Sequence, residues 1–335
     1  MLAYLYEERL LDTRFDLRGN RGGAALSAKF LNSGHILGSA GVSLSFRENG
    51  SDKSFFFTSD TNVNHQTIIP GATYPDRVDN LMIETTAGAD PDAELYTRRS
   101  EELRLGEAIE QTLRRGGAVL IPVFALGRAQ EVLALIQRYK DRGVIPHDTP
   151  LYTAGSMRAV AGLYDRTRES TPRLNPEFEV EQVAQLRVPR SRSRMQESVD
   201  EPSIHVVASG MLFERTLSNL LATMIVGDER NSVFFVGYAR EDSPGGILLE
   251  AERGDRAILS SEIGEQTINC NVDRFRLSGH SHRMELVELV GRLNPTNVVL
   301  VHGETEAQSW MREAIESRYR DVTVIVPECG KEIIL

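Results

Sequence analysis

Cysteine is scarce in this 335-residue chain: Cys270 and Cys329 are the two present, and they form no CxxC pair. That usage fits a reducing compartment. No apolar run is long enough to span a bilayer, so a membrane is not expected among the partners. The opening MLAYLYEERL has no basic region followed by an apolar stretch, so no signal peptide is expected, and the expected location is cytoplasmic. Excess positive charge is also lacking. A net charge of −10 argues against bulk, non-specific coating of nucleic acid. A local groove stays open, because arginines cluster at Arg98-Arg99, Arg114-Arg115 and in RVPRSRSR, Arg187 to Arg194. Neither an internal repeat nor a long low-complexity segment appears. The length allows one large domain or two ordinary ones, with ample material for a core.

What is present is organised around LNSGHILGSA, Leu31 to Ala40. An apolar lead-in runs into Ser33-Gly34-His35 and then Gly38-Ser39, so small residues let the backbone turn tightly around one imidazole. KSFFFTSDTN repeats the device, with a strand-like run ending at Asp60, and LMIETTAG ends at Glu84. Near the C-terminus FRLSGHSHR delivers His280, and VVLVHGE delivers His302. Each of these ionisable residues follows a β-rich apolar run, where α/β folds place chemistry, and together they read as one site.

In chain order, the first thirty residues combine a short helix-like start with the Gly19 to Gly23 stretch. Strands are predicted at ALSAKFL, GVSLSF, SFFFTS and NLMIET, separated by turn residues. Glu101 to Arg115 has helical spacing and is stopped by Gly116-Gly117. AVLIPVFALGRAQEVLALIQRYK, TPLYTAGSMRAVAGLYDRT and IHVVASGML with TLSNLLATMI each read as a β-turn-α unit, and SVFFVGYA as a further strand. Strands alternating with helices predict a parallel-rich sheet covered on both faces. Thr171 to Glu201, rich in Pro, Arg and Glu, reads as a partly helical excursion, and the C-terminal stretch closes with β-α-β.

Histidine and aspartate suit a divalent metal, and one carboxylate can bridge two ions. A pair of ions lowers the pKa of water and clamps both oxygens of an in-line phosphoryl displacement. Glu84 would hold an imidazole in one tautomer or act as a general acid. The competing reading is that strand-end His and Asp residues form turns or satisfy local hydrogen bonds.

GHILGSA, FTSDT, MIETTAG, IPVFALGRAQEVL, ASGML, FVGY followed by Gly245, LSGHSHR and LVHGE occur in a fixed order. That order resembles the β-CASP branch of the metallo-β-lactamase fold, nucleases that process RNA and DNA and include the pre-mRNA 3′-end cleavage subunit and RNase J. The resemblance covers residues from about 30 to the end of the chain. It implies an α/β protein: an αββα metallo-β-lactamase sandwich, N-terminally incomplete here, interrupted by a β-CASP domain. The expected boundaries are residues 1–95 and 269–335 for the former and 96–268 for the latter. By the resemblance, His35 is a ligand of the first zinc, Asp60 bridges two zinc ions, and His302 ligates the second. Glu84 and His280 become a catalytic pair serving the leaving group, with Asp60 counted among the catalytic residues. Ser209, Gly210 and Ser278 lie where the family contacts the RNA backbone, and Gly127-Arg128 opens a helix able to hold a phosphate.

The implied function is zinc-dependent hydrolysis of RNA phosphodiester bonds, with single-stranded DNA as the other candidate substrate. The family's HxHxDH motif precedes the position of His35, and none of this chain's seven histidines does. Cleavage by this chain is therefore expected to be weak or absent, as in a fragment, or in half of a split enzyme completed by a second chain. A homodimer is a further expectation. The alternative is a non-catalytic RNA-binding or scaffold subunit. Blander readings accompany several residues: His65 and His147 as loop residues, His205 as a core histidine, and His282 as an exposed turn residue or phosphate contact. Arg128 reads equally as a helix start paired with Glu131, RVPRSRSR as a solvated loop, and Trp310 and Tyr319 as core.

Overall fold

The computed structural model describes residues 7–17 and 26–335. The chain forms two compact units, one from Met1–Leu95, Ser170–Leu174 and Gly279–Leu335, the other from Tyr96–Glu169 and Asn175–Ser278. The class is α/β, and the two units build their sheets differently.

The first unit begins with β1 (Arg14–Leu17), β2 (Leu26–Asn32), β3 (Ala40–Glu48) and β4 (Ser51–Phe57), each antiparallel to the one before. Asn49-Gly50 joins β3 to β4 with φ of 50° and 82°, the two left-handed residues that match a hairpin turn to strand twist. β5 (Asn80–Glu84) then runs parallel to β4. The helix-like start falls partly on residues 1–6, outside the described residues, and residues 7–10 are not helical. Gly19 to Gly23 also lies outside them.

The second unit opens with α1 (Arg98–Arg114), capped by Thr97 and Ser100 in reciprocal hydrogen bonds. All three predicted β-turn-α units form: β6 (Ala118–Pro122) with α2 (Arg128–Asp141), β7 (Leu151–Thr153) with α3 (Gly155–Arg166), and β9 (Ser203–Val207) with α5 (Leu217–Ile225). The Pro/Arg-rich excursion holds the two-residue β8 (Leu186–Arg187) and α4 (Arg192–Asp200). β10 (Ser232–Phe235), α6 (Pro244–Glu250), the antiparallel pair β11 (Arg256–Ser260) and β12 (Gly264–Thr267), and β13 (Asn271–Arg274) complete the unit. Its six-stranded sheet has the order β13-β10-β6-β9-β7-β8 and is parallel throughout. Leu120, Val207, Phe235, Leu221 and Leu248 pack in its core.

The chain then returns to the first unit with α7 (Arg283–Leu293), β14 (Asn297–Val301), α8 (Thr305–Arg318) and β15 (Thr323–Ile325). Among the described residues its sheet has seven strands, β1-β2-β3-β4-β5-β14-β15, antiparallel as far as β4 and parallel beyond. Leu81, Ile83, Val298 and Leu300 pack with Leu286 and Val290 of α7 and Met311 and Ile315 of α8 in one apolar core. Trp310 and Tyr319 pack against it, as their helical spacing predicts. Alternation along β5 turns Glu84 to the other face from Leu81 and Ile83.

Candidate metal centre

Parallel pairing fixes where three of the polar residues emerge. Val301 is the register partner of Glu84, so His302 leaves β14 beside the end of β5. The Thr58 amide donates to the Met82 carbonyl at 2.9 Å, which carries the chain from β4 alongside β5 to Asp60. Asp60, Glu84 and His302 therefore share the carboxyl edge of the parallel strands. Ser59 and His302 are both left-handed, with φ of 55° and 52°, a backbone state that needs surrounding support.

His35 comes from the β2–β3 connection. Ser33 and Ser39 close that loop through a backbone bond of 3.1 Å and a hydroxyl pair of 2.8 Å. Gly34 is left-handed at φ 72°, and a Cβ there would lie 2.5 Å from the Asn62 carbonyl oxygen. Only glycine fits this close approach. His280 sits just ahead of α7, where the Ser281 amide donates to the Thr61 carbonyl at 2.8 Å and the Ser281 hydroxyl accepts from the Val63 amide at 2.9 Å.

The five sequence-predicted residues of this unit converge. His302 Nδ1 is 3.0 Å from Asp60 Oδ1, and His35 Nε2 is 3.8 Å from Asp60 Oδ2. One carboxylate thus turns one oxygen to each histidine, the disposition expected of a bridging ligand. His35 Nδ1 lies 3.0 Å from the Gly279 carbonyl, which must accept its proton and so leaves Nε2 as the lone-pair nitrogen. The His35 and His280 rings lie 4.5 Å apart by centroid, and those of His280 and His302 6.2 Å. Two donor sets result, His35/Asp60/His280 and Asp60/Glu84/His302, each with its donor atoms within 4.8 Å of one another. Nitrogen and carboxylate donors in such sets suit zinc.

Glu84 is fully buried. His280 Nδ1 stands 2.9 and 2.8 Å from its two oxygens, and the Thr61 amide donates to Oε1 at 2.5 Å. Burial by itself raises the carboxyl pKa. The hydrogen bond and charge of His280, the Thr61 amide and the Thr86 hydroxyl outweigh it and hold the group below its ordinary 4.5. Glu84 is therefore an anion whose lone pairs are committed to protein donors, which suits it to orienting His280 better than to binding metal.

The remaining predicted residues lie in the second unit. Ser209 is half-buried, its hydroxyl accepting from the Phe213 amide at 3.3 Å and its carbonyl from the Ser218 hydroxyl at 2.8 Å. Gly210 is buried against Val123 and Phe124, and Ser278 is exposed. Arg128 is buried and donates to the Leu277 carbonyl, and loss of hydration lowers its pKa to about 10. Of the other histidines, His65 and His147 are exposed, with His65 Nδ1 accepting from the Gly71 amide at 2.9 Å. His205 is fully buried in β9, and His282 caps α7.

Thr61, Thr86 and Ser281 went unread in the sequence. Thr86 Oγ1 lies 3.1 Å from His302 Nδ1, and Thr61 and Ser281 carry the backbone bonds described above. The available signal is adjacency: each follows an acidic or imidazole residue by one or two positions.

Two family descriptions match the chain: the Beta-Casp domain over residues 129–248, and the Zn-dependent metallo-hydrolase RNA specificity domain over residues 265–327. An RNase J-like protein of Methanocaldococcus jannaschii is 32% identical over 281 residues, which are 82% of this chain and 63% of that protein. Cleavage and polyadenylation specificity factor subunit 3 of Dictyostelium discoideum is 29% identical over 318 residues, 91% of this chain and 38% of that one. Transcription termination factor FttA of Thermococcus kodakarensis is 31% identical over 311 residues, 86% of this chain and 46% of the factor. This chain thus spans between 38% and 63% of the length of these curated relatives. A crystal structure of an Enterococcus faecalis protein of unknown function shares the fold, with a TM-score of 0.53 at 12% identity over 98% of this chain and 68% of that one. The domain matches, together with relatives that align over most of this sequence, agree with a site built at the carboxyl edge of parallel strands: the chain belongs to the β-CASP family of metallo-β-lactamase-fold proteins.

Proposed function

We propose that the protein is a zinc-dependent hydrolase of RNA phosphodiester bonds. The observation that carries this reading is Asp60, which turns one oxygen to His35 and the other to His302 beside the buried Glu84–His280 pair. The names of the matched domain and of the relatives supply the substrate class. His35 with Asp60 would hold one zinc ion and Asp60 with His302 a second. When bound, zinc supplies Lewis acidity toward the phosphoryl oxygens and lowers the pKa of water.

The chain's own residues do the rest. The Gly279 carbonyl and the Thr86 hydroxyl aim the His35 and His302 rings, and Asp60 sets their separation. Glu84 holds the proton on His280 Nδ1 and keeps the ring positively polarised, so that Nε2 serves the departing oxygen with a proton. The anionic Glu84 remains ionised because hydrogen bonds offset its burial.

With His280 serving the departing oxygen and Glu84 committed to protein donors, each ion would draw fewer than three ligands from the described residues, below the number catalytic zinc keeps. That count favours, as a second reading, an RNA-binding subunit whose metal shell is completed by further histidines from another segment or another chain. Under either reading the protein works in a reducing, cytoplasmic setting. The test is elemental analysis of zinc on the purified 335-residue chain, with cleavage of end-labelled RNA measured with and without chelator. Bound zinc and chelator-sensitive cleavage are expected, the latter rising when an HxHxDH-bearing segment is added. RNA binding that is indifferent to chelator, with no zinc and no cleavage, would replace the first reading by the second.

A further inference from the structure

Thr61 is fully buried, and its polar atoms reach four separate stretches of the first unit. Its hydroxyl donates to the Ser33 carbonyl at 3.0 Å and lies 2.7 Å from the Tyr74 hydroxyl. A hydroxyl has one proton to give, so at the second contact Tyr74 must be the donor. Burial raises the Tyr74 pKa, which keeps that O–H protonated. Held from both directions, the side chain fixes the peptide groups on either side of it. The Thr61 amide points at Glu84 Oε1 at 2.5 Å, and its carbonyl receives the Ser281 amide at 2.8 Å. Thr61 also forms an antiparallel bridge with Gly34. Its chain neighbours complete the pattern: Asp60 precedes it, Ser33-Gly34 leads into His35, and Ser281 follows His280.

We infer that Thr61 is the positioning residue of the metal centre, setting the mutual placement of His35, Asp60, Glu84 and His280 through one hydroxyl and one peptide. It touches none of the donor atoms assigned to zinc and acts through the residues that carry them. A β-branched residue suits the extended bridge, and of such residues only threonine carries the hydroxyl. Valine at this position would keep the shape and leave the buried Tyr74 O–H without its acceptor.

The inference rests on the proposed zinc site, so its test separates the two. Wild type, Thr61→Val and Thr61→Ser would be compared in zinc affinity, by competition with a chromophoric chelator, and in the imidazole nitrogen NMR signals of the metal-free proteins at one alkaline pH. Thr61→Val is expected to weaken zinc binding by about 10–100-fold, the range for residues that orient ligands, with Thr61→Ser restoring it to within about threefold. In the metal-free spectra wild type and Thr61→Ser should show His280 as one tautomer protonated at Nδ1, and Thr61→Val a mixture. Should Thr61→Val fail to fold, Tyr74→Phe, which removes the donor and keeps the ring packed on Phe56, should shift the same signals in the same direction. If wild type takes up no zinc, the zinc reading fails and the imidazole signals alone decide for Thr61. Unchanged His280 signals in Thr61→Val, or in Tyr74→Phe where the former does not fold, would overturn the inference.

Discussion

In the second unit every residue of β6, β9 and β10 is buried, whereas β3 and β4 of the first unit each bury a single residue completely. A parallel sheet covered on both faces has no solvent side, so its strands read as unbroken apolar runs. The mixed sheet of the first unit leaves its antiparallel half partly wet and gathers its polar side chains at the end of its parallel half. Each unit also holds a titratable group with no exposed surface, Glu84 in the first and His205 in the second. Glu84 has His280 and two further hydrogen-bond donors, and its pKa falls, so the charged form is kept. His205 meets the Ser198 carbonyl at 3.0 Å and the Ser203 hydroxyl at 3.1 Å, with no carboxylate, and burial lowers its pKa to about 4, so the neutral form is kept. Equal burial leaves one group charged and the other neutral because Glu84 meets the hydrogen bond and charge of His280 and two further donors, whereas His205 meets no carboxylate.

The largest expected effect breaks the first unit's site. Asp60→Asn removes the carboxylate shared by both donor sets and should reduce the proposed RNA cleavage, measured with an HxHxDH-bearing segment added, by about a thousandfold or more, since metal-ion charge stabilisation is worth several kcal/mol. Single-turnover kinetics would read this, while circular dichroism should stay unchanged. Next comes the apolar side of the comparison. Phe235→Ala, in the fully buried β10, should cost about 3–5 kcal/mol, read as a lower urea midpoint.

The pH dependence of stability sharpens the contrast between the two buried groups. The stability tied to His205 is present above its ordinary pKa of 6.5 and is lost as pH falls toward about 4, because the unfolded imidazole takes up a proton first. That tied to Glu84 is present above pH 4.5 and is lost only as pH falls through its lower folded value. His205→Phe, which retains the stack on Tyr152, should flatten the stability curve just below pH 6.5, and Glu84→Gln only the part below 4.5. Urea midpoints measured across that range check both. The smallest effect is expected at His147, exposed in a loop of the second unit, where His147→Ala should change stability by no more than about 0.5 kcal/mol.

Much of the second unit was legible because its signals are local. IPVFALGRAQEVL and the two similar runs combine a β-branched stretch, a turn and an amphipathic helix, and each folds as written. The short β11, β12 and β13 gave no comparable periodicity and went unread; α7 also went unread, although Leu286, Val287, Val290 and Leu293 recur at helical spacing. Arg128 shows the limit of local reading. Its place at a helix start fits an anion site equally well, and only the fold places its guanidinium against the Leu277 carbonyl, 149 residues away in sequence.

For the metal centre, the sequence by itself determined which residues stand at strand ends, because an apolar run must stop where a polar side chain begins. Asp60, Glu84 and His302 could be placed that way, as could His35 beside its small residues. Only the tertiary structure decided which of them pair. Glu84 with His280, and Thr61 with Ser33 and Ser281, join positions 196, 28 and 220 residues apart. Hydrogen bonds need contact within about 3 Å. No spacing along the chain encodes a contact that exists only once the parallel strands β4, β5 and β14 lie side by side.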